Sequence, residues 1–513
     1  LARFVAILAA LGVLAACPIL THASTIYVPD DHNTIQGAVD VAEEGDTIIV
    51  RDGAYSENIT IDVEELELRS LNGSASVVLR ASTPSDPILT VIADSVTVRG
   101  LGIIGSNDVA IEIIGASHCS ILENSIIEAT AGIRISGSAS DNVVSHNSVD
   151  SCTSGIGVHS DSNRNQILNN SVLRSDCRSI YLEHCEGSVV TGNVCNAGTY
   201  GIVIKSAIDS TLRSNTMDGN LYGFNVWGTP RANDVDSSNL VDGKPIHYLV
   251  SVSDYVVPPN SGPIVIVDST EITVQDVVID GAGDGIIVSG SHSCLIADCN
   301  VTTSAVGIRV MNSSAIVVVN NTLDNNGTGI WLDEAEGCTL DGNAITNCRY
   351  STGCGGVIGH GYGVLLLDSD GNTISSNTVN QCERIGLFIG HYSNANLATG
   401  NTVNGDTEYG VLLNLANSNS LVDNTISNCD QGIRTNSASC TFTGNISAEN
   451  TYGLVLSHAS RHASSNVFAR NRFGGNATCI HGGVGGNEFY LNDIPDGALT
   501  YAPGNTWTSQ NQV

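Results

Sequence analysis

The residues of this chain that could do chemistry fall into one turn, one repeated stripe and a scatter of soft ligands. The turn is Gly359-His360-Gly361, with Asp368 and Asp370 a few residues on. A histidine in a glycine-rich turn beside two carboxylates could move protons at a glycosidic oxygen, which makes His360, Asp368 and Asp370 the catalytic candidates. Against them, Arg384-Ile385-Gly386 is not followed by the lysine that hydrolysis of an acidic polysaccharide would want, and Asp368-Ser369-Asp370-Gly371 is ordinary turn chemistry. The stripe consists of residues two and four places after a recurring glycine or serine: Arg134, His159, Tyr181, Glu183, Lys205, Asn225 and Trp227 in one run, Arg309, Trp331, Asp333 and Phe388 in another. Aromatic faces with arginine, amide and carboxylate groups alongside can stack on sugar rings and hydrogen-bond their hydroxyls, so these are the ligand-binding candidates. The soft ligands are His118-Cys119, His184-Cys185 and His292 near Cys294, with Met217 and Met311 the only methionines. None has the paired spacing of a zinc or copper site, so no metal centre is expected. Copper is disfavoured, and calcium on turn aspartates is the one cation left open.

Composition narrows the partners. The 513 residues carry 20 Lys+Arg against 52 Asp+Glu, a formal charge of −32. Such a chain repels phosphate backbones, so nucleic acid is excluded as a partner. Only 14% of residues are charged and 5% aromatic, while 54 are glycine. That mixture suits short strands and turns and excludes helical bundles.

What positions the stripe is an internal repeat. Gly132-Ile-Arg-Ile, Gly155-Ile-Gly-Val, Ser179-Ile-Tyr-Leu, Gly201-Ile-Val-Ile and Gly223-Phe-Asn-Val recur at intervals of about 22 residues, and the pattern resumes at Gly285, Gly307, Gly329, Gly363, Gly386, Gly410, Gly432 and Gly453. The step from Gly329 to Gly363 is long, which places a loop insertion at 350–361. Asparagines stand at a matching place in most units: Asn124, Asn147, Asn170, Asn193, Asn215, Asn321, Asn343, Asn377, Asn401 and Asn424. A unit of this length cannot bury its own apolar face, so coils must stack with each strand parallel to its counterpart. The predicted fold is all-β, a right-handed parallel β-helix of about sixteen coils, a rod on the order of 75 Å long at one strand spacing per coil. The asparagines would then form a structural ladder. Cys152, Cys177, Cys348, Cys382 and Cys429 fall at equivalent places, where neighbouring coils could bridge them or leave a reduced apolar ladder. Cys299 stands where the ladder expects an amide.

The chain opens with Arg3 and an apolar run to Ala16, an export signal expected to be cleaved after Ala23. Leu14-Ala-Ala-Cys17 also has the form of a lipobox, so a lipid anchor at Cys17 is the only membrane attachment the sequence offers. Leu1 in place of Met points to a trimmed chain or an unusual start, and the end at Val513 leaves a natural continuation open. After the signal come Thr25-Ile-Tyr-Val-Pro-Asp-Asp-His-Asn-Thr-Ile-Gln-Gly-Ala-Val-Asp and Gly45-Asp-Thr-Ile-Ile-Val, with Thr34 placed to cap a short helix through about Ala42. This segment resembles the N-terminal cap of right-handed β-helix proteins, including pectin-acting enzymes and the NosD-like periplasmic copper-binding family. Asn239-Leu-Val-Asp-Gly-Lys-Pro-Ile-His-Tyr-Leu is similar to the interruption found in NosD-like helices. The resemblance implies a cap and first coils over 24–80, β-helix over 81–230, an interruption at 231–262, β-helix again over 263–475 and a C-terminal coil at 476–513. The paired-aspartate signatures of pectinesterases are missing, and no coil gathers the basic residue and carboxylates of a lyase.

These readings converge on a secreted, periplasmic or cell-surface protein that binds polysaccharide or another cell-envelope component without catalysis. The alternatives are a polysaccharide-active enzyme (lyase, hydrolase or epimerase) on the same face, or the copper-site maturation accessory that the NosD resemblance implies.

Overall fold

The computed structural model describes residues 23–354, 356–405, 408–457, 463–482, 485–494, 499–500 and 504–508. The leader up to residue 22, Cys17 within it, and the final residues 509–513 lie outside these. At the N-terminus Thr34 Oγ1 accepts a hydrogen bond from Gly37 N at 3.1 Å, and Glu57 accepts from the backbone N–H of Ile35 and Gln36, both at 2.9 Å. The helix spans only Ile35–Val39. It stops short of Ala42 because the chain turns at once toward the strand Thr47–Val50. Ile35, Ala38 and Val39 are buried and plug the first coil.

Beyond this cap the chain winds as a parallel solenoid. Inward columns run in register from coil to coil, as in Ile133↔Ile156↔Ile180↔Ile202↔Phe224 and Ile286↔Ile308↔Ile330↔Val364↔Leu387. The recurrent opening glycines follow from this stacking. A Cβ on Gly132 would strike the carbonyl of Gly155, and one on Gly329 that of Gly363. At the next corner each ladder asparagine is preceded by a left-handed residue, among them His146, Asn169, Ser214 and Asn320 at φ 53–57°. Asn147 N donates to Asn170 Oδ1 at 2.9 Å, Asn147 Nδ2 to the same oxygen at 3.0 Å and to the Ile121 carbonyl at 2.8 Å. The same pattern links Asn124 through Asn215 to Asn239, and Asn321 through Asn343, Asn377, Asn401 and Asn424 to Asn445. A second ladder, not anticipated from the sequence, runs through Asn142–Asn165 and Asn372–Asn396–Asn419. Serine and cysteine interrupt it, which hides its period.

There are about 20 turns rather than sixteen, because the first and last coils lack an opening glycine. Nor is there one coaxial rod. A ten-stranded and a sixteen-stranded sheet end at 234–245, and two twelve-stranded sheets and an eight-stranded sheet begin after it. Between them Leu240–Val241 and Lys244–Pro245 form an antiparallel turn within 231–262. The strand Ile264–Val267 is apolar at every position because both of its faces are covered. Ile264 and Ile266 point into the second core, whereas Val265, Val267 and the neighbouring Ile287 belong to the first. The second solenoid therefore seals the end of the first with its outer face.

Of the two arrangements left open for the cysteines, the described residues show the reduced one between neighbouring coils, with Cys299 in the ladder place its position suggested. Cys119, Cys299, Cys338 and Cys440 take ladder places, their backbone N–H donating to Asn142, Asn321, Asn372 and Asn466. Cys152, Cys348, Cys382 and Cys429 are buried in the cores. The disulfide among the described residues joins Cys177 of the first solenoid to Cys354 in the inserted loop of the second, with 5.6 Å between Cα atoms.

Candidate functional site

Alternation along the strands turns one residue in two outward, and stacking lines these up in rows. The first row reads Glu112, Arg134, Gly157, Tyr181, Val203, Asn225. Gly157 is the gap in it. With no side chain there, the backbone forms the floor of a cleft of about 590 Å³, walled by Glu112, Arg134, His159, Arg178 and Tyr181. The His159 ring folds over Gly157, in the space that a Cβ would enter.

Charges around the cleft are fixed by short contacts. Arg134 Nε lies 2.5 Å from Glu112 Oε1. Glu183 accepts from Lys205 Nζ at 2.7 Å and faces His159 Nδ1 at 3.1 Å. Burial alone would push the Glu183 carboxyl up, but the bonds from Lys205, His159 and Tyr181 outweigh it and hold it at about 2. Burial pushes His159 below its ordinary value, against the pull of Glu183. Arg178 differs from its neighbours. Its guanidinium lies 4.1 Å from the Tyr181 ring centre and 5.3 Å from that of Trp227, and Nε donates to Cys177 Sγ at 3.2 Å. Among the described residues no carboxylate stands within ion-pair distance of it.

The structure thus gathers Arg134, His159, Tyr181, Glu183, Lys205 and Trp227, but not as an open stripe along a rod. Tyr181 is 3% exposed and Asn225 4%. Tyr181, Tyr200, Tyr222 and Trp227 pack into one cluster with Ala305 of the second solenoid, and Asn225 backs against Gly283. Aromatic side chains were expected to wait for a ligand, and they are instead largely spent on the joint between solenoids. The second run is covered as well. Arg309 lies between Asp284 and Asp333, at 3.5 and 3.9 Å, with its guanidinium 4.3 Å from the Trp331 ring centre. The inserted loop is a hairpin, Tyr350–Gly353 against Gly356–His360, and brings His360 edge-on to Trp331 and parallel to Tyr362. Tyr362 meets Phe388, which is 7% exposed. Gly327 and Gly359 let the hairpin lie close, since a Cβ on either would collide with the other.

His360 does not meet Asp368 and Asp370. It precedes the strand Tyr362–Leu367 and they follow it, so a strand of six residues, roughly 20 Å, separates them. Asp370 instead accepts from Asn394 N at 2.5 Å, as a turn residue. The catalytic group inferred from the turn is therefore not assembled.

Sequence reasoning missed Glu112, Arg178, Tyr200 and Tyr222. A signal for most of them was present: tyrosine directly precedes the opening glycine at Tyr200, Tyr222, Tyr362, Tyr409 and Tyr452, and Arg178 precedes Ser179. That position also points outward, in register with its counterparts, as in Arg178↔Tyr200↔Tyr222.

The described residues do not assemble a copper site. Among the described residues no three histidine, cysteine or acidic side chains converge closely enough to hold an ion. Met217 and Met311 are both buried and belong to different solenoids. Burial pushes the thiols of Cys119, Cys152 and Cys185 up to about 11. The acidic turns at Glu334, Glu336 and Asp368 line a shallow depression without converging as calcium ligands would.

Comparison with known proteins agrees with the architecture. The right handed beta helix region matches residues 88–240, and the family described as periplasmic copper-binding protein (NosD) matches 237–391 and 354–512. No curated protein gives a significant match. Among solved structures the chain is similar to DFA-IIIase from Arthrobacter chlorophenolicus A6 in complex with GF2, at 15% identity and TM-score 0.35 over 60% of this chain and 86% of that one. It is also similar to alginate lyase from Paenibacillus sp. str. FPU-7, at 14% identity and TM-score 0.29 over 67% and 99%. Likenesses this distant carry nothing about activity. The two NosD matches together cover more than half of the chain, which continues the same parallel coils on either side of its interruption: it belongs to the NosD family of right-handed β-helix repeat proteins.

Proposed function

We propose that this chain is an exported binding protein for polysaccharide or cell-envelope material, and that an acidic sugar docks in the cleft floored by Gly157. The observation that carries this reading is Arg178: a half-buried guanidinium held over two aromatic rings, beside a cleft, with no carboxylate partner among the described residues in a chain of charge −32. A ring entering the cleft beside the His159 imidazole that covers Gly157 would meet Tyr181 at its side and could offer a carboxylate or sulfate to Arg178. With Nδ1 engaged by Glu183, His159 has Nε2 left for a hydroxyl hydrogen bond. Location fits: the family is described as periplasmic, and no helix among the described residues is long and apolar enough to cross a membrane. The test is equilibrium binding of oligogalacturonate and of a neutral oligosaccharide of equal length. Arg178→Gln should weaken the acidic ligand by about 1.5–3 kcal/mol, as for a lost charged hydrogen bond, and leave the melting temperature unchanged. Equal affinity of parent and variant would remove the cleft from consideration.

One observation favours catalysis as a second reading. Burial pushes the carboxyls of Asp284 and Asp333 up, despite Arg309 between them, the direction in which burial tunes a general acid. Reducing ends or unsaturated products released by the parent, and abolished in Asp333→Asn, would support it over simple binding.

A further inference from the structure

The outward row of the second solenoid does not end under the hairpin. It continues from Phe388 through Leu412, Arg434 and Val455 to His481. Around its far end lies a pocket of about 310 Å³, lined by Gln431, Arg434, Tyr452, Val455, Ser457 and His481 among others. Most of the described arginines face a carboxylate. Arg434 instead donates from Nη1 to Tyr409 Oη at 3.3 Å and to Gln431 Oε1 at 3.4 Å, and from Nη2 to Ser457 Oγ at 3.2 Å. These partners are neutral. They fix the plane of the guanidinium, with the Tyr409 ring centre 5.3 Å away, and leave its charge uncompensated among the described residues. The Nε–H has no protein acceptor there and Ser457 takes one of the two Nη2 hydrogens, so Nε–H and the second Nη2 hydrogen are left for an anion. Tyr452 and His481 stand with ring centres 5.4 Å apart and form an aromatic wall, and Val455 adds an apolar patch.

We infer that this pocket is a second binding site, selective for a monocarboxylate with hydroxyl groups, of the size and chemistry of one hexuronic acid residue. A fixed arginine supplies the bidentate contact to a carboxylate. Gln431, Ser457 and His481 supply hydrogen-bonding groups for hydroxyls, and the wall takes the C–H face of a sugar ring. A single guanidinium suits a monoanion. A phosphate dianion would want more positive charge than this acidic surface offers. The site stands on different residues from the Arg178 cleft and does not depend on that cleft binding anything.

The test uses the full chain with D-glucuronate, D-glucose and inorganic phosphate as probes, followed by titration calorimetry and ligand-observed NMR. To keep the two sites apart, the measurement is made in the Arg178→Gln background. Saturable glucuronate binding should persist there, with glucose and phosphate at least tenfold weaker. Adding Arg434→Gln should weaken glucuronate at least tenfold, and Arg434→Lys should recover only part of it. If Arg434→Gln loosens the fold, Tyr452→Leu decides, because it leaves Arg434 and its hydrogen bonds intact and should still weaken binding severalfold. No glucuronate binding in the Arg178→Gln background would overturn the inference. So would binding that is indifferent to Arg434→Gln and Tyr452→Leu, or a preference for phosphate. Loss of oligogalacturonate binding in Arg178→Gln alone speaks to the other cleft and not to this one.

Discussion

A buried amide ladder concentrates stability in side chains that act through hydrogen bonds. Asn170 is 1% exposed; its side chain receives two bonds from Asn147 and gives two, to the Val144 carbonyl at 2.9 Å and to Asn193 Oδ1 at 3.0 Å. Asn170→Ala leaves those donors and acceptors without these bonds, and should cost about 1–3 kcal/mol in denaturant unfolding. Glu183 makes stability depend on acid in a defined window. Its carboxyl sits at about 2 in the folded chain against an ordinary 4.5, so its contribution is complete above pH 4.5 and disappears as the pH falls toward 2. In Glu183→Gln the melting temperature should fall less steeply over that interval than in the parent. The ladder was legible in the sequence because one residue type repeats at one spacing. The cleft was only half legible: Arg134, His159 and Tyr181 follow the opening glycine, whereas Arg178 precedes its serine and Glu112 lies in a coil with no opening glycine at all.

At the scale of elements, the hairpin 350–360 interrupts the coils of the second solenoid. It is held at several places: by the disulfide to Cys177, by Tyr222 reaching Ser351, by Glu383 accepting from Tyr350 N at 2.7 Å, and by His360 between Trp331 and Tyr362. Reduction, or Cys354→Ser, removes the covalent tie and leaves the rest. Cleavage within 350–360 under limited proteolysis should then speed up severalfold, and Trp331 fluorescence should shift as its cover loosens; unchanged rates would mean that the ring contacts suffice. The insertion was readable as a long step between Gly329 and Gly363. Its partner was not, because 177 residues separate the two cysteines and no repeat relates them. In the same way, the apolar run Ile264-Val-Ile-Val could be read as a strand, but not as one covered from both sides. Two-sided burial comes from the other solenoid, which local periodicity does not see.

The molecule as a whole is two hydrophobic columns joined through Val265, Val267 and Ile287, outward residues of the second that finish the first. Coils support their neighbours, so each column should unfold cooperatively while the joint sets how tightly the two are coupled. Placing a charge there by Ile287→Asp should destabilise the first column by about 3 kcal/mol or more. It should also split one calorimetric transition into two, and a single transition at an unchanged temperature would show that the joint does not couple them. The bond between Cys177 and Cys354 has a mechanical corollary. It closes the joint, the interruption and several coils on each side into a covalent ring spanning a sequence separation of 177 residues. Stretched from its two termini under oxidising conditions, the chain can shed the coils outside the ring, but the force passes across the bridge and leaves those inside slack. In an optical trap the oxidised molecule should reach its limit about 600 Å short of the reduced one, at roughly 3.4 Å for each residue withheld.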